Sequence, residues 1–176
     1  MEVLGALCPA RLRARDLAAG AAMTAALIHL EVVPEHLREW KLEGAFFAAL
    51  AAAQALLALL LLRGRATIRT LLTGICGTVG VIALYVLSRT AGLAVGPRRV
   101  HAAPVLGGVG NGLPVLPGSP IARHIESVGV LDLSCLVAEL ALIATLVGLL
   151  PTRARGVTTN VMLLGGVTLL AVRALI

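Results

Sequence analysis

Histidine and glutamate are concentrated in one short stretch, residues 29–43, which lies between two very apolar segments. The stretch contains two histidines and four glutamates. Farther along the chain, Asp132 and Glu139 are seven residues apart, which places them on one face of a helix. Imidazole and carboxylate groups are ligands for zinc, copper, iron and manganese, so we predict a transition-metal site. The predicted ligands are His29, His36, Glu39, Glu43 and Glu139. Their predicted hydrogen-bond or ion-pair partners are Arg89, Asp132 and Gln54.

The spacing of these residues does not match a known metal signature. It is neither the H-E-x-x-H of zinc proteases nor the E-x-x-H pair of di-iron bundles. The identity of the metal therefore stays open among zinc, copper, iron and manganese. A haem is disfavoured, because it needs axial imidazoles from two helices and the apolar segments contain only His29.

Two other interpretations of the same residues remain open. Asp132 and Glu139 could form a proton relay with Glu43 opposite them, since charged groups inside a membrane normally face a partner or water. Against this, the inner half of the predicted bundle has no titratable residue that would continue the path. Alternatively, the polar residues lock helices together in an accessory subunit of a larger membrane complex.

The composition is that of an integral membrane protein. Of the 176 residues, 59% are hydrophobic and only 14% are charged. Several apolar runs approach or exceed the ~20 residues that a helix needs to cross a bilayer. We attribute the net charge of +6 to arginines at span ends, not to a surface for nucleic acid. The predicted partners are the lipid bilayer and either other membrane subunits or further copies of this chain.

The apolar runs predict an all-α integral membrane fold, a five-span helical bundle that forms one domain over residues 1–176. The long segment between the third and fourth spans, residues 91–126, is rich in glycine and proline. We predict that it forms a long outer loop over the ends of the spans. The predicted spans are residues 17–33, 44–62, 70–88, 128–150 and 157–174.

The first span is short, because only residues 17–30 separate Asp16 from Glu31. At ~1.5 Å per residue this length does not cover a ~30 Å hydrocarbon core, so His29 is expected just below the outer surface. Pro34 is then expected to interrupt the helix or to start a new one. Residues 35–43 are predicted to form a short interfacial helix.

Arginines near the ends of the spans predict the orientation. Those within residues 11–15, 63–69 and 153–155 lie in short segments, where the positive-inside rule counts them. We therefore predict a protein of the bacterial cytoplasmic membrane with its amino terminus inside and its carboxyl terminus outside. A cleaved signal peptide is disfavoured, because the first apolar run leads into the 29–43 stretch without a clear cleavage site.

Thiol and hydroxyl side chains predict no further chemistry. The three cysteines, which include Cys76 and Cys135, are isolated and form no C-x-x-C, so a disulfide framework or a thiolate zinc site is disfavoured. Cys76 and Cys135 are interpreted as small apolar packing residues. Whether the protein is an enzyme stays open, because the candidate nucleophiles have no neighbouring base in the sequence. These candidates are Ser88, Ser127 and Ser134.

Two motifs carry a family resemblance. The first is H-L-x5-H-x2-E-x3-E-G over residues 29–44, and the second is S-R-T-x-G over residues 88–92. Together they resemble a group of small polytopic membrane proteins of GC-rich bacteria, for which no activity is established. The resemblance implies that the polar residues belong to one site. This chain departs from the group in a glycine- and proline-rich insertion at residues 98–120.

Overall fold

The computed structural model describes residues 9–90 and 129–175, and the side chains of residues 12–88 and 129–166 within them. Over these residues the chain forms five helices and no strand, which confirms the predicted all-helical fold. The predicted loop at residues 91–126 lies outside the described residues. The helices are α1 (Pro9–Glu39), α2 (Lys41–Leu62), α3 (Ile68–Thr90), α4 (Val130–Leu149) and α5 (Thr152–Leu175).

In the described part of the chain, four helices are long and apolar enough to cross a membrane. Large apolar side chains remain exposed along all of them, as is typical of surfaces that face lipid. That α5 forms a fifth span stays a prediction. The four candidate spans are Leu12–Glu39, Lys41–Leu62, Ile68–Ser88 and Val130–Leu149.

The helix α1 does not stop at Pro34, as the sequence had led us to expect, but continues through it to Glu39. Proline removes one backbone N–H from the hydrogen-bond ladder, which is tolerated in membrane helices when the rest of the ladder is kept. An interruption in lipid would leave several backbone groups without partners. The continuous helix moves His29 from the expected end of a span to about three turns before the end of α1.

The predicted interfacial helix at residues 35–43 is also not a separate element. Its first part belongs to α1 and its last part to α2, and the chain turns at a single extended residue, Trp40. Gly44 makes this tight turn possible. A Cβ built at Gly44 would lie 2.5 Å from Leu37 Cγ and 2.6 Å from the Leu37 backbone nitrogen. Such contacts are too short for any side chain, so glycine is required there.

The α2–α3 turn has the hydrogen bonds of a Schellman motif. The Arg65 N–H donates to the Leu60 carbonyl, and the Gly64 N–H donates to the Leu61 carbonyl. Gly64 adopts a φ of +64°, the left-handed conformation that glycine accepts without strain. This turn returns the chain directly into α3.

Small residues allow α1 to pack closely against both α2 and α4. The buried face of α1 is almost entirely alanine, and in lipid such small residues let helix backbones approach each other. Larger buried leucines of α2 and α4 fill the space toward the α2–α3 end of the bundle. The alanines are Ala18, Ala19, Ala22, Ala25 and Ala26, and the leucines include Leu57, Leu61, Leu142, Leu146 and Leu150.

Candidate metal centre

Three polar side chains meet inside the bundle, one from each of the closely packed helices. His29 of α1, Gln54 of α2 and Glu139 of α4 are 6%, 5% and 3% exposed. Glu139 is the tenth of the twenty residues of α4, so it lies about 14 Å below the start of that helix at ~1.5 Å per residue. The cluster is therefore about halfway along α4, and His29 lies about three turns before the end of α1, deeper than the position at a span end that was expected for it.

The Glu139 carboxylate is the centre of the cluster. Its Oε1 atom lies 3.2 Å from His29 Nε2 and accepts a hydrogen bond from Gln54 Nε2 at 3.4 Å. A charged side chain at the middle of a bilayer costs at least ~2.5–3.5 kcal/mol, so partners of this kind are expected. The structure therefore brings His29, Gln54 and Glu139 together from three helices; that they bind a metal ion stays a prediction.

Cys135 joins the cluster, which the sequence interpretation as an apolar packing residue did not anticipate. Its Sγ atom lies 3.5 Å from His29 Nε2, and the side chain is buried. Cys135 comes four residues before Glu139, one turn of α4, so the two share a helix face. That spacing was visible in the sequence, but it pointed to a site only if the cysteine was considered together with a histidine from another helix.

The donor atoms of His29, Cys135 and Glu139 all lie within 4.8 Å of one another. A tetrahedral ion with ~2.05 Å bonds to nitrogen and oxygen and ~2.3 Å to sulfur separates nitrogen from oxygen by ~3.4 Å and nitrogen from sulfur by ~3.6 Å. The observed nitrogen–oxygen and nitrogen–sulfur separations are 3.2 Å and 3.5 Å. Two edges of the ligand triangle thus match tetrahedral coordination to within about 0.2 Å.

The amide oxygen of Gln54 also indicates that the cluster is suited to a bound species. Gln54 Oε1 is buried and has no hydrogen-bond partner among the residues that the structure describes. A buried acceptor without a donor costs about 1–3 kcal/mol, so it calls for a donor from a bound species. Since the amide nitrogen of the same side chain already contacts Glu139, that species would sit beside the carboxylate.

A second imidazole–carboxylate pair lies nearer to the α1–α2 turn. His36 Nε2 is 3.6 Å from Glu43 Oε1, and both side chains are partly buried. The Phe47 ring joins this pair to the buried cluster: its centroid is 4.5 Å from the His36 ring and 5.6 Å from the His29 ring. The predicted ligands therefore divide between two places along the α1–α2 interface.

Two other predicted residues, Glu39 and Asp132, are not in the buried cluster. Glu39 is exposed near the end of α1. The Asp132 carboxylate accepts a hydrogen bond of 2.9 Å from the Gly129 N–H, which caps the start of α4. The side chain of Arg89 lies outside the described residues, and its predicted ion pair stays a prediction.

Comparisons with protein-family models, with curated proteins and with solved structures find no match. The geometry of the buried cluster therefore carries the functional assignment.

Proposed function

We propose that this chain is an integral membrane protein that binds one transition-metal ion in the middle of its helix bundle. His29, Cys135 and Glu139 would supply nitrogen, sulfur and oxygen ligands. The observation that carries the proposal is the convergence of these donor atoms, within 4.8 Å, at a depth where a lone carboxylate is costly.

The donor set favours a divalent ion of the zinc type. Thiolate and imidazole ligands disfavour magnesium and calcium, which prefer oxygen. A thiolate and a carboxylate carry two negative charges, which a divalent cation neutralises, and a neutral cluster costs least in hydrocarbon. A monovalent copper ion would leave one negative charge.

Three protein ligands leave one position of a tetrahedral ion open. The unpartnered Gln54 oxygen is placed to accept a hydrogen bond from a water molecule or other ligand in that position. We therefore propose a site that handles its metal or acts on a ligand there. A closed structural site would instead have four protein ligands.

We also propose how the chain crosses the membrane. We propose a protein of the bacterial cytoplasmic membrane with α5 as a fifth span and with the arginine-rich turns inside. The α1–α2 turn, with His36 and Glu43, would then lie at the outer face.

Elemental analysis of the purified protein tests the proposal. We expect about one zinc-type ion per chain after purification without chelators, and loss of that ion in His29→Ala. Glu35→Gln, an exposed residue of the same helix, is the control and should keep the ion. A wild-type protein that remains without metal after incubation with excess Zn²⁺ would refute the proposal.

A second function is favoured by the hydrogen bonds themselves. Glu139 accepts from Gln54 and contacts His29, so one carboxylate ties three helices together without an ion. The exposed apolar surfaces of α3 and α5 would then contact other subunits of a complex. Under this alternative, the purified protein holds no metal, and partner subunits co-purify with the wild type.

A further inference from the structure

We infer that His36 and Glu43 form a separate loading site, from which a metal ion passes the Phe47 ring to reach the buried cluster. This inference rests on the proposed function. It adds to the proposed site the path that the ion follows, the end of the bundle from which it enters, and the side chain that it must displace.

The hydrogen bond of His36 with the backbone prepares its ring for a cation. Nδ1 lies 2.8 Å from the Val32 carbonyl oxygen, which can only accept, so Nδ1 carries the proton. In the neutral ring, Nε2 then presents a lone pair toward Glu43 Oε1. A cation that lies between these two acceptors, either a proton or a metal ion, can therefore bind to both.

The separation of that pair fits a bridging ion. At 3.6 Å, Nε2 and Oε1 are too far apart for a good hydrogen bond. An ion with ~2.05 Å bonds to both atoms gives this separation at a bond angle of about 120°. A metal-bound histidine also typically donates its other ring N–H to a carbonyl oxygen, as His36 does.

The two sites lie on one line along the α1–α2 interface. His36 follows His29 by seven residues of α1, two helical turns or ~10.5 Å. Phe47 precedes Gln54 by the same interval on α2, and its ring contacts both imidazoles. An ion that moves between the sites must therefore displace the Phe47 ring.

The opposite direction is filled by packed side chains. Between the buried cluster and a cavity at the α2–α3 end of the bundle, whose lining includes Arg15 and Gly64, the interface consists of buried apolar side chains. Desolvating an ion among these groups is costly. The ion therefore enters and leaves on the side of the α1–α2 turn.

A loading site that does not hold the ion in the final complex should change the rates at which the buried site binds and releases the ion, but not its affinity. Glu43→Gln and His36→Gln should slow both the binding and the release of the ion at the buried site by about tenfold or more, because the first removes the negative charge that concentrates cations at the entrance and the second removes the imidazole nitrogen that would hold the ion there. The dissociation constant should stay unchanged. Phe47→Ala should accelerate both steps.

Stopped-flow mixing of the full-length protein with Co²⁺ measures these rates through the absorption of thiolate-bound cobalt. Glu35→Gln, at an exposed position one residue before His36, is the matched control and should behave as wild type. Equal final amplitudes in all variants would show that each is folded and keeps the buried site.

The outcomes separate the inference from the function on which it rests. If the wild type binds no Co²⁺, the proposed function fails. If it binds Co²⁺ and both His36→Gln and Glu43→Gln load at the wild-type rate, only the inference is wrong. If the wild type binds Co²⁺ without thiolate absorption, and both His36→Gln and Glu43→Gln lose that binding while His29→Ala keeps it, the inference is overturned as well, because the ion would then reside at His36 and Glu43.

Discussion

The substitution Glu139→Gln separates the free-energy cost of burying the carboxylate from its contribution as a metal ligand. Glutamine has nearly the same shape, and its carbonyl oxygen can still accept from Gln54 and His29 at the distances seen for the carboxylate. What changes is the negative charge, halfway along α4 and 3% exposed. The variant therefore keeps the hydrogen bonds that join the helices and loses the anionic ligand.

The difference in stability between the variant and the wild type should depend on whether metal is present. Without metal, removing a charge that costs ~2.5–3.5 kcal/mol at mid-bilayer should leave the free energy of unfolding unchanged or raise it by up to ~3 kcal/mol. With metal at 100 times its dissociation constant, the wild type should gain ~2.7 kcal/mol from binding. Glu139→Gln should lack that gain, so zinc should shift the stability difference between the two proteins by ~2.7 kcal/mol in favour of the wild type.

Unfolding by titration with sodium dodecyl sulfate, in the presence of chelator or of Zn²⁺, measures this shift. Glu35→Gln makes the same chemical change at an exposed position of α1 and should follow the wild type in both conditions. Two results would refute the reasoning. A zinc-dependent gain that persists in Glu139→Gln would show that the carboxylate is not a ligand. A loss of about 3–5 kcal/mol without metal would show that a protonated His29 already pairs with it.

Two further predictions concern the sulfur ligand and the helix turn. Cys135→Ser should bind zinc about 10-fold or more weakly and lose the near-ultraviolet absorption of thiolate-bound Co²⁺, because a hydroxyl is a poor ligand for these ions. Cys76→Ser, which changes an exposed cysteine, is the control. An unchanged cobalt spectrum in Cys135→Ser would exclude sulfur from the site. Gly44→Ala should lower the free energy of unfolding by about 1–3 kcal/mol, because its Cβ would meet the Leu37 backbone nitrogen at 2.6 Å. Gly77→Ala should be neutral or stabilising by up to ~1 kcal/mol, because no described atom beyond its own stretch of helix lies within 4 Å of the added Cβ. Equal stability of Gly44→Ala and wild type in the same detergent titration would contradict the tight turn.

The helical character of the described chain and the need of Glu139 for partners could be predicted from the sequence. Long apolar runs can satisfy their backbone hydrogen bonds in lipid only as helices or closed barrels, and helices match the lengths found here. A glutamate that no choice of span boundaries moves out of the bilayer must face polar groups. Gln54 and His29, the polar side chains of the two preceding helices, were therefore reasonable partners for it.

The depth of the site and the membership of its ligands were decided by the tertiary structure. Pro34 suggests a helix end in any local interpretation, whereas packing in a bundle allows α1 to continue and carries His29 to the level of Glu139. Cys135 has the local pattern of an apolar packing residue. It becomes a candidate ligand only because α1 and α4 pack closely enough, through alanines, to bring its sulfur to 3.5 Å from an imidazole more than a hundred residues away in the chain.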